Sequence, residues 1–274
     1  MKFTTLLPLS LISFTLLAIP TYSQAETPVE NPTGLSIMQA VDQRDDGEDL
    51  IQKIDQKLID KRGGVRERHM IAFRKDYGAD SKSISYFLKP ANILDTALLT
   101  YDYDGVARDD DQWLYLPALK KVRRISSSDR GDYFMGTDFT FEDIKQTPEL
   151  EDYNWTLLGS EIIDNHDCWK ISATPKTEDL QKNLGYTKTI SYIRKDILIA
   201  VRIDYWDRKA QHLKTLIVDK VEAIDGIWSV RHMVMKNIQS QHITELSFSE
   251  QQYNSNLSDR LFSERMLKMG YRAN

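Results

Sequence analysis

A mainly β (α+β) fold built on one large antiparallel sheet is what this sequence predicts, on three observations. Short runs of β-branched and aromatic residues with an apolar/polar period of two recur from about residue 70 to residue 250, the pattern of strands with one buried face. The runs are joined by few residues, which suits antiparallel neighbours and leaves no room for the crossover helices that parallel strands need. Asp225-Gly226 lies between two such runs, and this pair fits a two-residue hairpin turn because both of its central residues take positive φ.

From the N-terminus, residues 1–25 read as a secretory signal peptide cleaved after Ala25. Lys2 gives a positive start, residues 6–19 are mostly apolar, Pro20 breaks the run, and Ser23 and Ala25 put small side chains where a signal peptidase cuts. The apolar stretch is short for a bilayer-spanning helix. The expected product is exported, with a periplasm as its compartment. Residues 26–274 are expected to form a single domain, since no repeat and no long linker divides them.

Pro28 and Pro32 mark an extended leader. Residues 35–61 predict a helix, because Leu50, Ile51, Ile54, Leu58 and Ile59 fall on one face at the 3.6-residue period. Gly63-Gly64 would stop it. Strands then follow at 70–73, 83–88, 98–103, 113–116, 155–163, 168–173, 187–194, 197–206, 213–224, 227–238 and 243–250, about eleven in all. In one of them Ile199, Val201, Ile203 and Tyr205 alternate with Ala200, Arg202, Asp204 and Trp206. So large a sheet has an apolar inner face and few helices to cover it. It either closes on itself or curls around the N-terminal helix and the irregular segment 126–152, and so little cover leaves a cavity.

Composition narrows the function. With 274 residues, 41% hydrophobic and 28% charged, the chain is an ordinary globular protein. A net charge of -5 argues against a general nucleic-acid binder, which releases phosphate counterions with positive charge. The single cysteine, Cys168, excludes an internal disulfide and any multi-cysteine zinc site, and is expected to be buried. No nucleophile elbow, P-loop, dinucleotide fingerprint or zinc-protease motif occurs, and the five histidines lie singly. Asp102-Tyr103-Asp104-Gly105 with Asp109, Asp110 and Asp111 invites a calcium reading. The glycine stands fourth rather than sixth and no glutamate stands twelfth, so the segment reads as a solvated loop. No catalytic residue, metal or cofactor is expected, and the protein is not expected to be an enzyme.

Two clusters stand out. Lys120, Lys121, Arg123 and Arg124 form the basic one, read either as a charged strand edge that resists aggregation or as a docking patch for a membrane surface or acidic partner. Phe134, Met135, Phe139 and Phe141 form an aromatic segment, read either as core beneath a loop or as a lid over an apolar cavity. Trp113 and Tyr115 join them as candidate cavity residues.

The run DQWLYLPALKKVRRI at 111–125, followed by FMGTDFTFEDI at 134–144, resembles the signature of the outer membrane lipoprotein-sorting protein family, which is LolA-like. The similarity continues through YWDRK at 205–209 and LSDRLF at 257–262. Where the family usually has Gly-Thr before its Leu-Leu, this chain has Asp95-Thr96-Ala97-Leu98-Leu99. The resemblance implies an incomplete antiparallel β-barrel of about eleven strands wrapped over helices, with an apolar cavity for acyl chains. It also implies association with an inner-membrane exporter of the RND type. The expected function is therefore a periplasmic carrier or accessory protein for a lipid, lipoprotein acyl chain or other hydrophobic cargo, with transient membrane contact. The alternative is a non-transporting envelope sensor or structural partner of a membrane complex.

Overall fold

The structure is a computed structural model that describes residues 31–105, 108–145 and 148–272. Residues 1–25, read above as a signal peptide, lie outside the described residues.

Helix α1 (Gly34–Asp42) opens the fold. Thr33 caps it reciprocally with Ser36, satisfying two backbone donors that the first turn leaves free. The first six strands then run in sequence: β1 (Asp49–Ile59), β2 (Val65–Tyr77), β3 (Asp80–Lys89), β4 (Ala97–Asp102), β5 (Asp111–Leu116) and β6 (Lys121–Ile125). Residues 126–145 and 148–152 follow without a strand. The second run comprises β7 (Tyr153–Ile163), β8 (His166–Pro175), helix α2 (Glu178–Leu184), β9 (Tyr186–Arg194), β10 (Ala200–Asp207), β11 (His212–Ile224), β12 (Ile227–Asn237) and β13 (His242–Tyr253). Helix α3 (Glu264–Met269) ends it.

All thirteen strands form one sheet in the order β6-β5-β4-β3-β2-β1-β13-β12-β11-β10-β9-β8-β7. Two meanders are thus joined by the antiparallel pairing of β1 with β13, where Leu58 stands opposite Thr244. The edge strands β6 and β7 are not paired to each other among the described residues, so the sheet is an incomplete barrel. The Asp225-Gly226 turn is as expected, with φ of 52° and 89°.

One expected element is overturned. The helix over 35–61 is real only as α1; the rest is strand β1, and Gly63-Gly64 belongs to the β1–β2 hairpin, with Gly63 donating to the Asp60 carbonyl. Leu50, Ile54 and Leu58 are spaced by four, which fits a helix face and also the alternate positions of a strand. The intervening Gln52 and Gln56 share that strand face, and Gln56 is buried in a hydrogen bond from Arg68. Pairing with both β2 and β13 decides the outcome.

The sheet has two covered faces. On the outer face, Ile71, Phe73, Ile84, Tyr86 and Leu99 pack under Phe262 and Leu267 of the C-terminal segment. Leu267 is fully buried there, and Leu267→Ala is expected to lower the unfolding free energy by about 3 kcal/mol in urea denaturation, the loss typical of a buried leucine that leaves a cavity. On the inner face lie α1 and residues 126–145. Ile37 and Met38 of α1 pack on Ile171 and Ile193. The helix approaches β7 closely, because a side chain at Gly34 would meet the Thr156 backbone nitrogen at 2.8 Å. Cys168 is buried and free, as expected.

Candidate functional site

The aromatic segment is a plug inside the sheet. Tyr133 and Thr140 bridge as a miniature hairpin, and the Phe134 and Phe141 backbone nitrogens donate to the Phe139 and Asp132 carbonyls at 2.8 and 3.0 Å. Met135 and Gly136 turn the chain at positive φ. Phe134, Phe139 and Phe141 are all buried, Phe134 against Phe87 at 6.0 Å and against Phe141 at 5.6 Å between ring centres.

Side chains from both halves of the sheet pin this plug. Lys214 of β11, fully buried, donates to the Asp143 carboxylate at 2.5 Å and to the Asp138 carbonyl at 2.7 Å. Its ammonium lies 5.1–5.3 Å from the ring centres of Tyr133, Tyr186 and Tyr205, an attraction that desolvation strengthens. Asp143 also accepts from the Tyr186 hydroxyl at 2.9 Å and the Thr140 backbone at 2.7 Å. Asp138 accepts from Thr244 at 2.7 Å and lies 2.6 Å from His242 Nδ1. Arg68 of β2 donates to the Met135 carbonyl at 2.9 Å, and Gln112 of β5 donates to the Phe141 carbonyl at 3.2 Å. Burial pushes the phenols of Tyr186 and Tyr205 well above their ordinary values, with the Asp143 carboxylate adding to the effect. Partners this well satisfied make the segment a fixed plug rather than a loose lid.

A second charged knot lies at the end of the plug. Lys145, its side chain 2% exposed, stands 2.5 Å from Asp110, 3.3 Å from Asp102 and 3.9 Å from both Glu142 and Glu149. Burial opposes its charge, yet the surrounding carboxylates hold its pKa above the ordinary lysine value. Asp102, Asp110 and Glu149 each offer an oxygen within 4.8 Å of the others, but the Lys145 ammonium already supplies the positive charge among them. Burial pushes the Asp102 and Glu149 carboxyls up to about 7, more than Lys145 pulls them down. Carboxyls raised in the folded chain hold their protons more tightly there than when unfolded. Their contribution to stability is therefore full below about pH 4 and is lost as the pH rises through 7. Asp102→Asn is expected to flatten this slope: its stability relative to the parent, from urea denaturation at pH 5 and pH 8, rises with pH.

Between the plug and the inner face of β1–β4 and β12–β13 lies a hollow of about 490 Å³. Its lining includes the exposed Asp42 and Trp228, which mark a mouth to solvent. The register grades its wall. Ile54 and Met70, paired on β1 and β2, are apolar; two residues further along each strand come Gln52 and Ala72, level with Ser85 and Leu98. Beyond these lie Arg74, Ser83 and Thr100, and then Ser81 and Asp102. Phe139, Met233, Leu246 and Phe248 complete the apolar end.

Of the candidate cavity residues, Phe134 and Phe139 line the hollow. Phe141 and Met135 pack behind it with Leu98, Leu114 and Ile125. Trp113 and Tyr115 face the other way: they alternate with the inward Gln112 and Leu114, and pack in the outer cluster under the C-terminal segment. They do not line the hollow. Lys121, Arg123 and Arg124 lie on edge strand β6 and Lys120 just before it. Arg123 pairs with Asp129 at 2.9 Å and Arg124 with Asp111. Lys214, Asp143, Lys145, Arg74, Ser83 and Thr100 were not singled out by sequence. Only the alternation of Ser81, Ser83 and Ser85 carries a local signal, a polar face on one strand.

Comparison with known proteins places this geometry. A family model described as an uncharacterized protein matches residues 79–269. No curated protein matches the chain. A crystal structure of a DUF1329 family protein from Desulfovibrio piger is 33% identical, with 85% of this chain covering 97% of that one at a TM-score of 0.80. A putative outer membrane lipoprotein-sorting protein domain from Vibrio parahaemolyticus is 32% identical, with coverages of 86% and 98% and a TM-score of 0.79. A LolA superfamily protein from Nitrosomonas europaea, 18% identical over 86% of this chain and 99% of its own with a TM-score of 0.66, shares the fold. By identity, coverage and fold together, the chain belongs to the LolA-like family that includes the DUF1329 protein and the lipoprotein-sorting domain.

Proposed function

We propose that the protein is a periplasmic carrier or accessory protein that holds the apolar part of a lipid, lipoprotein acyl chain or similar cargo in the hollow. The observation that carries this reading is a solvent-accessible hollow of about 490 Å³ whose inner end is lined by Ile54, Met70, Phe134, Phe139, Leu246 and Phe248. The lipoprotein-sorting name of the Vibrio parahaemolyticus relative supports it. Carriage needs no bond-making chemistry: each buried CH₂ contributes about 0.8 kcal/mol, against the loss of freedom on binding. Release requires a partner that favours the emptied form, because a ligand shifts an equilibrium only by its differential affinity. In this proposal the partner is an inner-membrane exporter of the RND type. Edge strand β6, with Lys120, Lys121, Arg123 and Arg124, is the docking patch and the site of transient membrane contact.

The test is mass spectrometry of the protein purified from its own envelope, before and after delipidation. A lipid co-purifying near one per protein, and fatty-acid displacement of a bound hydrophobic fluorophore, is the expected result. Neither lipid nor displacement would instead favour the non-transporting sensor or structural partner.

A further inference from the structure

The hollow is amphipathic along its length, and this specifies its ligand more narrowly than an acyl chain. Its polar band is built by register. Arg74, Ser83 and Thr100 stand side by side on β2, β3 and β4, and Ser81 and Asp102 form the next pair toward the mouth. Ser81, Ser83 and Ser85 all line the hollow, and the Thr100 hydroxyl, which accepts from Gln112 at 3.5 Å, keeps its own hydrogen to donate. Half-buried hydroxyls in a recess favour an occupant that donates or accepts. The apolar rows lie deeper, against the plug.

The charges on the wall narrow the headgroup. Arg74 is held by Asp46 at 3.1 Å and by Asp76 at 2.8 Å, and donates to the Asp46 and Gly47 carbonyls as well. Lys145 is held by Asp102 and Asp110. Four carboxylates line the hollow against three cations, which leaves no positive excess for a phosphate or a free carboxylate. The volume lies within the roughly 300–1,000 Å³ that holds one small ligand.

Resting on the carrier reading, the geometry points to a single-chain amphiphile with an uncharged, hydrogen-bonding headgroup as the occupant, its tail against Phe134 and Phe139 and its head on the Arg74–Ser83–Thr100 row. Ser83 and Thr100 then set headgroup specificity, while the apolar rows set affinity for the tail.

The experiment is displacement of bound 1-aminoanthracene by two probes of one chain length, 1-monolauroylglycerol and laurate, below their aggregation concentrations. The expected result is half-displacement by the monoglyceride at about 25-fold lower concentration than by laurate, as two hydrogen bonds of ordinary worth would give. Ser83→Ala and Thr100→Val should each weaken the monoglyceride about fivefold, leaving laurate and the fluorophore within twofold of the parent. The retained fluorophore affinity shows that each variant is folded. Laurate binding as well as or better than the monoglyceride, or a preference unchanged in both variants, overturns the headgroup assignment and leaves the carrier reading standing. A fluorophore that does not bind the parent protein, with neither probe found bound by direct calorimetry, overturns both.

Discussion

Lys214→Met is expected to destabilise the protein by about 3–5 kcal/mol, the loss typical when one partner of a buried ion pair is removed. Methionine keeps most of the side chain's length, so the loss is mainly electrostatic. The Asp143 carboxylate, its side chain 4% exposed, is left without its cation, and the Asp138 carbonyl loses its donor. Adding Asp143→Asn to the same chain should recover part of the loss, since the unpaired charge is then gone while the Tyr186 hydroxyl and Thr140 nitrogen keep an acceptor. Urea denaturation of the two single variants and the double variant measures the coupling directly. Equal and additive losses would mean that the pair does not hold the plug.

Ala72→Trp is expected to reduce ligand binding by more than about tenfold while leaving the fold in place. Ala72 lies on β2 between Gln52 and Ser85, and its side chain lines the hollow. An indole there takes volume from the hollow rather than from packed core, so the strain that normally accompanies a larger core residue is avoided. The measurement pairs fluorophore titration with thermal unfolding. Loss of binding with a melting temperature within a few degrees of the parent assigns the hollow as the binding site; unchanged binding would place the ligand elsewhere.

The strand-rich architecture was legible because most strands have one wet face and one covered face, which prints a period of two on the sequence. β1 defeated the reading because apolar residues every fourth position satisfy both periods, and only long-range pairing resolves them. On β6, Lys121 and Arg123 share the strand face of Ile125 while Arg124 shares that of Val122, and the three basic side chains are exposed on a strand that forms the edge of the sheet. Trp113 and Tyr115 lie on the outer face of β5, and both faces of that strand are covered, one by the plug and the other by the C-terminal segment. Where both faces are covered, hydrophobicity no longer distinguishes inside from outside. The aromatic segment was recognisable by composition, but its anchors were not. Lys214 is 71 residues from Asp143, and Thr244 is 106 from Asp138. No local pattern records such pairings; they exist only once the sheet brings β11 and β13 beneath the segment.

The joint between the two meanders has a consequence for how the molecule is made. Every other strand pairs with neighbours close in sequence, whereas Leu58 waits for Thr244. A chain emerging N-terminus first can assemble its early hairpins at once, yet β1 keeps a bare hydrogen-bonding rim until almost the whole polypeptide has appeared. High contact order of this kind slows the final closure, and an uncovered rim invites pairing with the wrong chain. The nascent protein is therefore most vulnerable to aggregation just before its last strand arrives.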